Sequence, residues 1–187
     1  MDFSSIESWG YILIAFMSFG GSFLIIATAG VFAYLGHIDL YTALAVGAFF
    51  NFLGDNFLFY LARYQKKDIQ KYLTKHKRKI AITTLIMRKY GTLAIFIQKY
   101  IYGVKTLIPI IMGLGKYNFK KFITVNFFAS IIFVFSIGLI SYYSSDAIIA
   151  FFNYLKAKPY LAPLLLVIIG TAFWQYLKRV ENKKGQK

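Results

Sequence analysis

The hydrophobic positions of this chain fall into long blocks broken by short polar clusters. Apolar runs cover 11–35, 39–63, 91–115, 118–143 and 159–177. Several approach the ~18–20 residues that a helix needs to cross a bilayer. They predict an all-α membrane protein. The first run is interrupted by FGGSF, with Gly20 and Gly21 adjacent. Two glycines weaken a helix by about 1 kcal/mol each, so this run reads as one span or as two half-helices meeting at a bend. The second run opens on Asp39, a good N-cap, and closes on the basic ARYQKK. Beyond it, 65–91 holds nine Lys or Arg against one Asp, with Ile69, Tyr72, Leu73 and His76 at helical spacing. That pattern predicts a helix lying on a membrane surface. SSDAIIAFFNYLKAKP, after the fourth run, reads as a mixed loop of amphipathic character.

Composition agrees with one membrane domain over 1–187. The chain is 58% hydrophobic, above the roughly 45–50% of soluble domains. It has no cysteine, which excludes disulfides and thiol chemistry. The net charge of +15 would suggest nucleic acid in a soluble protein. Here it sits between apolar segments and follows the positive-inside rule, so no nucleic-acid partner is expected. The opening MDFSSIESWG lacks the basic residues of a cleavable signal.

Topology follows from parity. The last helix runs into the basic KRVENKKGQK, which places that end in the cytoplasm. The run 118–143 then starts in the cytoplasm, beside Lys116, Lys120 and Lys121, as does the basic linker before Gly91. Segment 91–115 therefore has both ends on one side and must turn back inside the bilayer. Ten residues at 1.5 Å each reach ~15 Å, about the midplane. An internal repeat accompanies this. LIIATAG (24–30) lines up with LIPIIMG (107–113), and IDLYTALAVGAFF (38–50) with YNFKKFITVNFFA (117–129). The expectation is an inverted repeat with two re-entrant helical hairpins, near 8–36 and 91–115, and about three full transmembrane helices. The division is 8–64 first repeat, 65–90 basic cytoplasmic linker, 91–144 second repeat, and 145–187 extracytoplasmic loop, last helix and basic tail.

Charges inside the bilayer cost at least ~2.5–3.5 kcal/mol each, which makes them the functional candidates. They are Asp55, Lys99 and Lys105. Asp55 lies about 12 Å from the cytoplasmic end of its helix, and the lysines flank the expected tip. The bland readings are snorkelling for Lys99 and Lys105 and an internal salt bridge for Asp55. Two cations against one carboxylate still leave a positive charge over, which an anionic ligand would match. A half-helix starting near Thr106 would aim its free N–H groups there, and Pro109 fits its first turn. Lys105, Thr106 and the Gly103 backbone make a phosphate cradle on this reading.

These residues resemble the DedA/VTT-domain (SNARE-associated) membrane proteins. The resemblance rests on Gly54, Asp55, Tyr60 and Arg63, and on Lys99, Gly103, Lys105, Thr106, Pro109, Gly113, Phe122 and Asn126. It departs in having lysines for both signature arginines and Tyr102 for the signature proline. The family's acidic Pro-Gly-Asp/Glu motif is here SFGGSFLII, with Ser22 and Phe23 at the acid. The resemblance implies an integral protein of the bacterial cytoplasmic (inner) membrane that moves phosphate-bearing lipid, such as undecaprenyl phosphate or a phospholipid, between leaflets. It also implies protons as a coupling partner, on which the missing acids bear more than on lipid binding. Lys99, Lys105, Thr106, Gly103 and Asp55 are then the lipid-binding residues.

The leading expectation is thus a lipid translocase or scramblase with no cofactor. The alternative is a non-transporting structural or assembly factor of the same fold. An enzyme is poorly supported, because neither His37 nor His76 stands beside a Ser or a carboxylate pair that would form a nucleophile–base unit.

Overall fold

The computed structural model describes residues 3–66, 69, 77–101, 104–115, 117–158 and 171, which form helices joined by short turns and connections. Two units are described separately, 1–143 and 144–187. In the first, α1 (Phe3–Phe19) and α2 (Phe23–Tyr34) precede the long α3 (Leu40–Tyr64). Next come α4 (Lys77–Tyr90), a 3-10 turn (Gly91–Leu93), α5 (Ala94–Ile97) and a second 3-10 turn (Gln98–Tyr100). Then follow α6 (Leu107–Leu114) and the long α7 (Phe119–Tyr143). The second unit contains α8 (Ser145–Ala157). Among the described residues, Leu40–Tyr64, Ile80–Tyr100 and Phe119–Tyr143 are long and apolar enough to span a bilayer. The protein is an all-α integral membrane protein.

Local chemistry explains the breaks. α1 stops in a Schellman turn: Gly21 N–H donates to Ser18 O and Ser22 N–H to Met17 O, at 2.9 and 3.1 Å. Gly21 has φ +78°, which only glycine adopts freely. Ser22 then caps α2 by accepting from Ile25 N–H. The two long helices start alike. Asp39 accepts from Thr42 N–H at 2.7 Å, and Asn118 from Lys121 N–H at 3.1 Å. The bonds from Thr42 hold the exposed Asp39 carboxyl below its usual range.

α3 and α7 cross antiparallel. Leu44 meets Gly138, Gly47 meets Val134, Phe52 meets Phe127 edge-on and Phe59 stacks on Phe122. Each hairpin closes at its base through a tyrosine hydroxyl. Asp39 N–H donates to Tyr11 Oη at 2.9 Å, and Thr92 Oγ1 lies 2.9 Å from Tyr117 Oη. These bases sit at the N-terminal ends of α3 and α7, hence at opposite ends of the bundle. The half-helices are exchanged: α2 packs on α7 and α6 on α3. A Cβ on Gly30 would collide with Gly138 O, and one on Gly113 with Phe59 O. Gly30 and Gly113 match in the repeat alignment, and its continuation along the long helices matches Phe59 with Gly138. The two contacts are thus related by an approximate twofold. Continued in the same way, the alignment pairs Asn51 with Ser130, near the middle of each long helix.

α4, which begins inside the basic linker, ends at Tyr90, just before Gly91. That residue, at φ +53°, bends the chain, and helical turns continue to Tyr100. The expected loop after Tyr143 contains α8 instead, because 145–157 holds neither glycine nor proline. Of the expected last span, 159–177, only position 171 is described; Lys116 and Tyr72, Leu73 and His76 of the expected surface helix also lie outside the described residues.

Candidate functional site

The hairpin turns meet halfway along α3 and α7, at the approximate twofold. Gly54 makes this possible, because a Cβ there would collide with Phe19 O at the end of α1. The next residue, Asp55, is buried. Lys99, in the 3-10 turn ending the first arm of the second hairpin, enters from the other side. Its ammonium donates to Asp55 Oδ2 at 2.6 Å, Asn51 Oδ1 at 2.8 Å and Ser130 Oγ at 3.0 Å. A lysine ammonium has three N–H groups, and all three are used. The Lys99–Asp55 pair has side-chain exposures of 0% and 6%.

Lys105 lies after the tip, just before the N-terminus of α6. Its Nζ donates to Gly21 O at 2.8 Å and stands 4.5 Å from the Phe133 ring centroid. A Cβ on Gly21 would come within 2.6 Å of Lys105 Cε, so the lysine stem lies across the glycine. Depth along the helices predicts Lys105 as the partner of Asp55; the structure gives that place to Lys99. Depth does not determine the direction in which a side chain leaves its helix. The first arm points Lys99 at the α3–α7 seam, and the tip turns Lys105 toward the opposite hairpin. Lys105 is 9% exposed, and among the described residues no carboxylate forms an ion pair with it.

The remaining motif residues divide by place. Thr106 precedes α6, is exposed and makes no capping bond. Gly103 and Tyr102 lie outside the described residues. Pro109 is buried in the first turn of α6. Arg63 holds the other end of that helix, with Nε donating to Gly113 O at 3.0 Å and Nη2 to Tyr117 O, while the guanidinium covers the Phe59 ring. Asn126 Nδ2 donates to Phe52 O at 3.2 Å, and Phe122 is buried on Phe59. Tyr60 is exposed and packs on Tyr64, away from the site. Gly20 and Gly21 form the first hairpin turn, with no acid beside them.

Asn51 and Ser130 were missed by sequence reasoning. The available signal was spacing: Asn51 is four residues before Asp55, and Ser130 four after Asn126. Such pairs share a helix face. Gln98 is also fully buried, with neither side-chain polar atom bonded among the described residues.

A family model, the VTT domain, matches residues 11–143, which span both hairpins and both long helices. The chain belongs to the VTT-domain (DedA) family. Among curated VTT-domain relatives, undecaprenyl phosphate transporter A of Staphylococcus aureus is 23% identical over 132 residues, 66% of this chain. The match covers 65% of that transporter's length. Inner membrane protein YohD of Escherichia coli is 21% identical, over 98% of this chain and 97% of its own length. No solved structure matches the chain.

Proposed function

We propose that this VTT-domain protein is a membrane transporter that moves a phosphate-bearing lipid between leaflets, with Lys105 receiving the phosphate. One observation carries this reading: Lys105 is a buried ammonium at the meeting point of both hairpin turns, held among the described residues by a carbonyl and a ring face. An embedded charge is costly unless paired, so an anion is the ligand it suits. Lys99 differs because its donors are filled. It serves as the scaffold that fixes the second hairpin to α3 and α7. Thr106 and the backbone near Gly103 complete the cradle on this proposal. The name of the staphylococcal relative supports a lipid phosphate as cargo.

Both hairpins are re-entrant on this reading. Lys99 stands at the end of a helix yet beside the midpoints of α3 and α7, so its arm stops about half a membrane in. Arg63, Arg88, Lys89, Lys120 and Lys121 lie near the base of the second hairpin, and that end faces the cytoplasm. The YohD name supports the bacterial inner membrane.

The test uses purified protein in phosphatidylcholine vesicles with a trace of labelled phosphatidylglycerol, following exposure of the inner-leaflet label. Lys105→Ala should slow transfer about ten- to hundredfold, the worth of a charge-assisted hydrogen bond of ~1.5–3 kcal/mol. Lys105→Arg should keep most of it. Equal rates for parent, Lys105→Ala and protein-free vesicles would favour the structural-factor alternative.

A further inference from the structure

Lys105 would be expected to bend toward Asp55, yet it is directed elsewhere by groups from two different elements. Gly21 O accepts one of its hydrogens. Phe133, fully buried on α7, presents its ring face 4.5 Å from Nζ. An aromatic face attracts a cation within about 6 Å, more strongly where water is excluded. The ring is itself fixed. Tyr100 meets it edge-on at 5.3 Å, and the Tyr100 hydroxyl lies 3.0 Å from Ser136 Oγ. Ser136 Oγ in turn donates to Phe133 O at 2.9 Å. Neither the carbonyl nor the ring carries a formal charge, so they orient the ammonium without neutralising it.

We propose that Phe133 is a positioning residue for Lys105, whose ring, with Gly21 O, holds the ammonium in place while leaving its charge for a phosphate. The proposal rests on the lipid-transport reading for its functional consequence and on geometry alone for its structural one. A carboxylate at the ring's place would pair with Lys105 and cancel the charge. An aliphatic side chain would fill the space without holding the cation.

Two measurements test it. In the vesicle assay the mole fraction of labelled phosphatidylglycerol is varied. Phe133→Leu should raise the half-saturating fraction about three- to tenfold with the maximal rate kept, the range expected for a cation–π contact. Phe133→Tyr, which keeps the ring, should stay within about twofold of the parent. If Leu and Tyr behave alike, the ring acts only as packing and the proposal fails. The second measurement needs no transport. In detergent-solubilised protein with 13C-labelled lysine, the Lys105 Cε signal is assigned by its loss in Lys105→Arg. It should carry a ring-current shift in the parent and in Phe133→Tyr, and lose it in Phe133→Leu. An unshifted parent signal overturns the proposal. A shifted signal in a parent that moves no lipid upholds the positioning and rejects the lipid-transport reading instead.

Discussion

The Lys99 ammonium stands 2.6 Å from Asp55 Oδ2, and two neutral oxygens, from Asn51 and Ser130, take its other hydrogens. This single side chain ties the second hairpin to both long helices. Removing one member of a buried pair leaves the other charge stranded, at a cost of about 3–5 kcal/mol. Asp55→Asn and Lys99→Met should each lower stability by that order. The double variant should be more stable than either single one. Denaturation midpoints of the four proteins in one detergent check this, and additive losses would argue against a coupled pair.

Gly30 and Gly113 occupy matching places, each under a carbonyl of the opposite long helix. Alanine at either position should cost about 1–3 kcal/mol through overpacking. The two losses should be similar. A large loss at one glycine and none at the other, measured by thermal unfolding, would contradict the twofold relation of the contacts.

Arg63 bonds the carbonyls of Gly113, within the last turn of α6, and Tyr117, beyond it. Arg63→Lys keeps the charge but loses the fork that reaches both oxygens. Amide hydrogen exchange over 107–117 should quicken in Arg63→Lys and more so in Arg63→Ala, while the middle of α3 stays protected. Uniform exchange across all three proteins would remove Arg63 from the positioning of α6.

Asp39 gives a pH dependence of defined sign. Its carboxyl is held below its ordinary value by the bonds from Thr42. A depressed carboxyl contributes stability above its unfolded value, about 3.9, and that contribution is lost as pH falls through the lower folded value. Asp39→Asn keeps a capping oxygen but cannot titrate. Parent and variant should therefore converge in melting temperature as pH drops from 5 to 3. A constant difference across that range would show that the charge is irrelevant to the cap.

Much of this arrangement is legible in the sequence because its causes are local. The Asp39 cap, the Gly20–Gly21 turn and the start of α6 after Thr106 follow from residue chemistry within one helical turn. The embedded lysines stand out because ammonium groups are rare in apolar runs. The partner of Asp55 was not legible. Lys99 and Lys105 share a depth, and only the packing of α7 against α3 decides which one faces the seam. Gly91 adds a bend that apolar periodicity does not register. A positive φ at one residue suffices to bend a helix, and whether turns resume afterwards depends on the apolar surface beyond, here the buried Ala94 and Ile95.

The exchange of half-helices sets a timetable for biogenesis. Gly30 of α2 rests against the carbonyl of Gly138, so its protein partner leaves the ribosome about a hundred residues later. At ~5–20 residues per second, that is a delay on the order of 5–20 s. During it, the first hairpin has no α7 to lie on, and the small-residue face of α2 meets lipid or the insertion machinery. The first half of the chain therefore completes its native packing only once the second half has arrived.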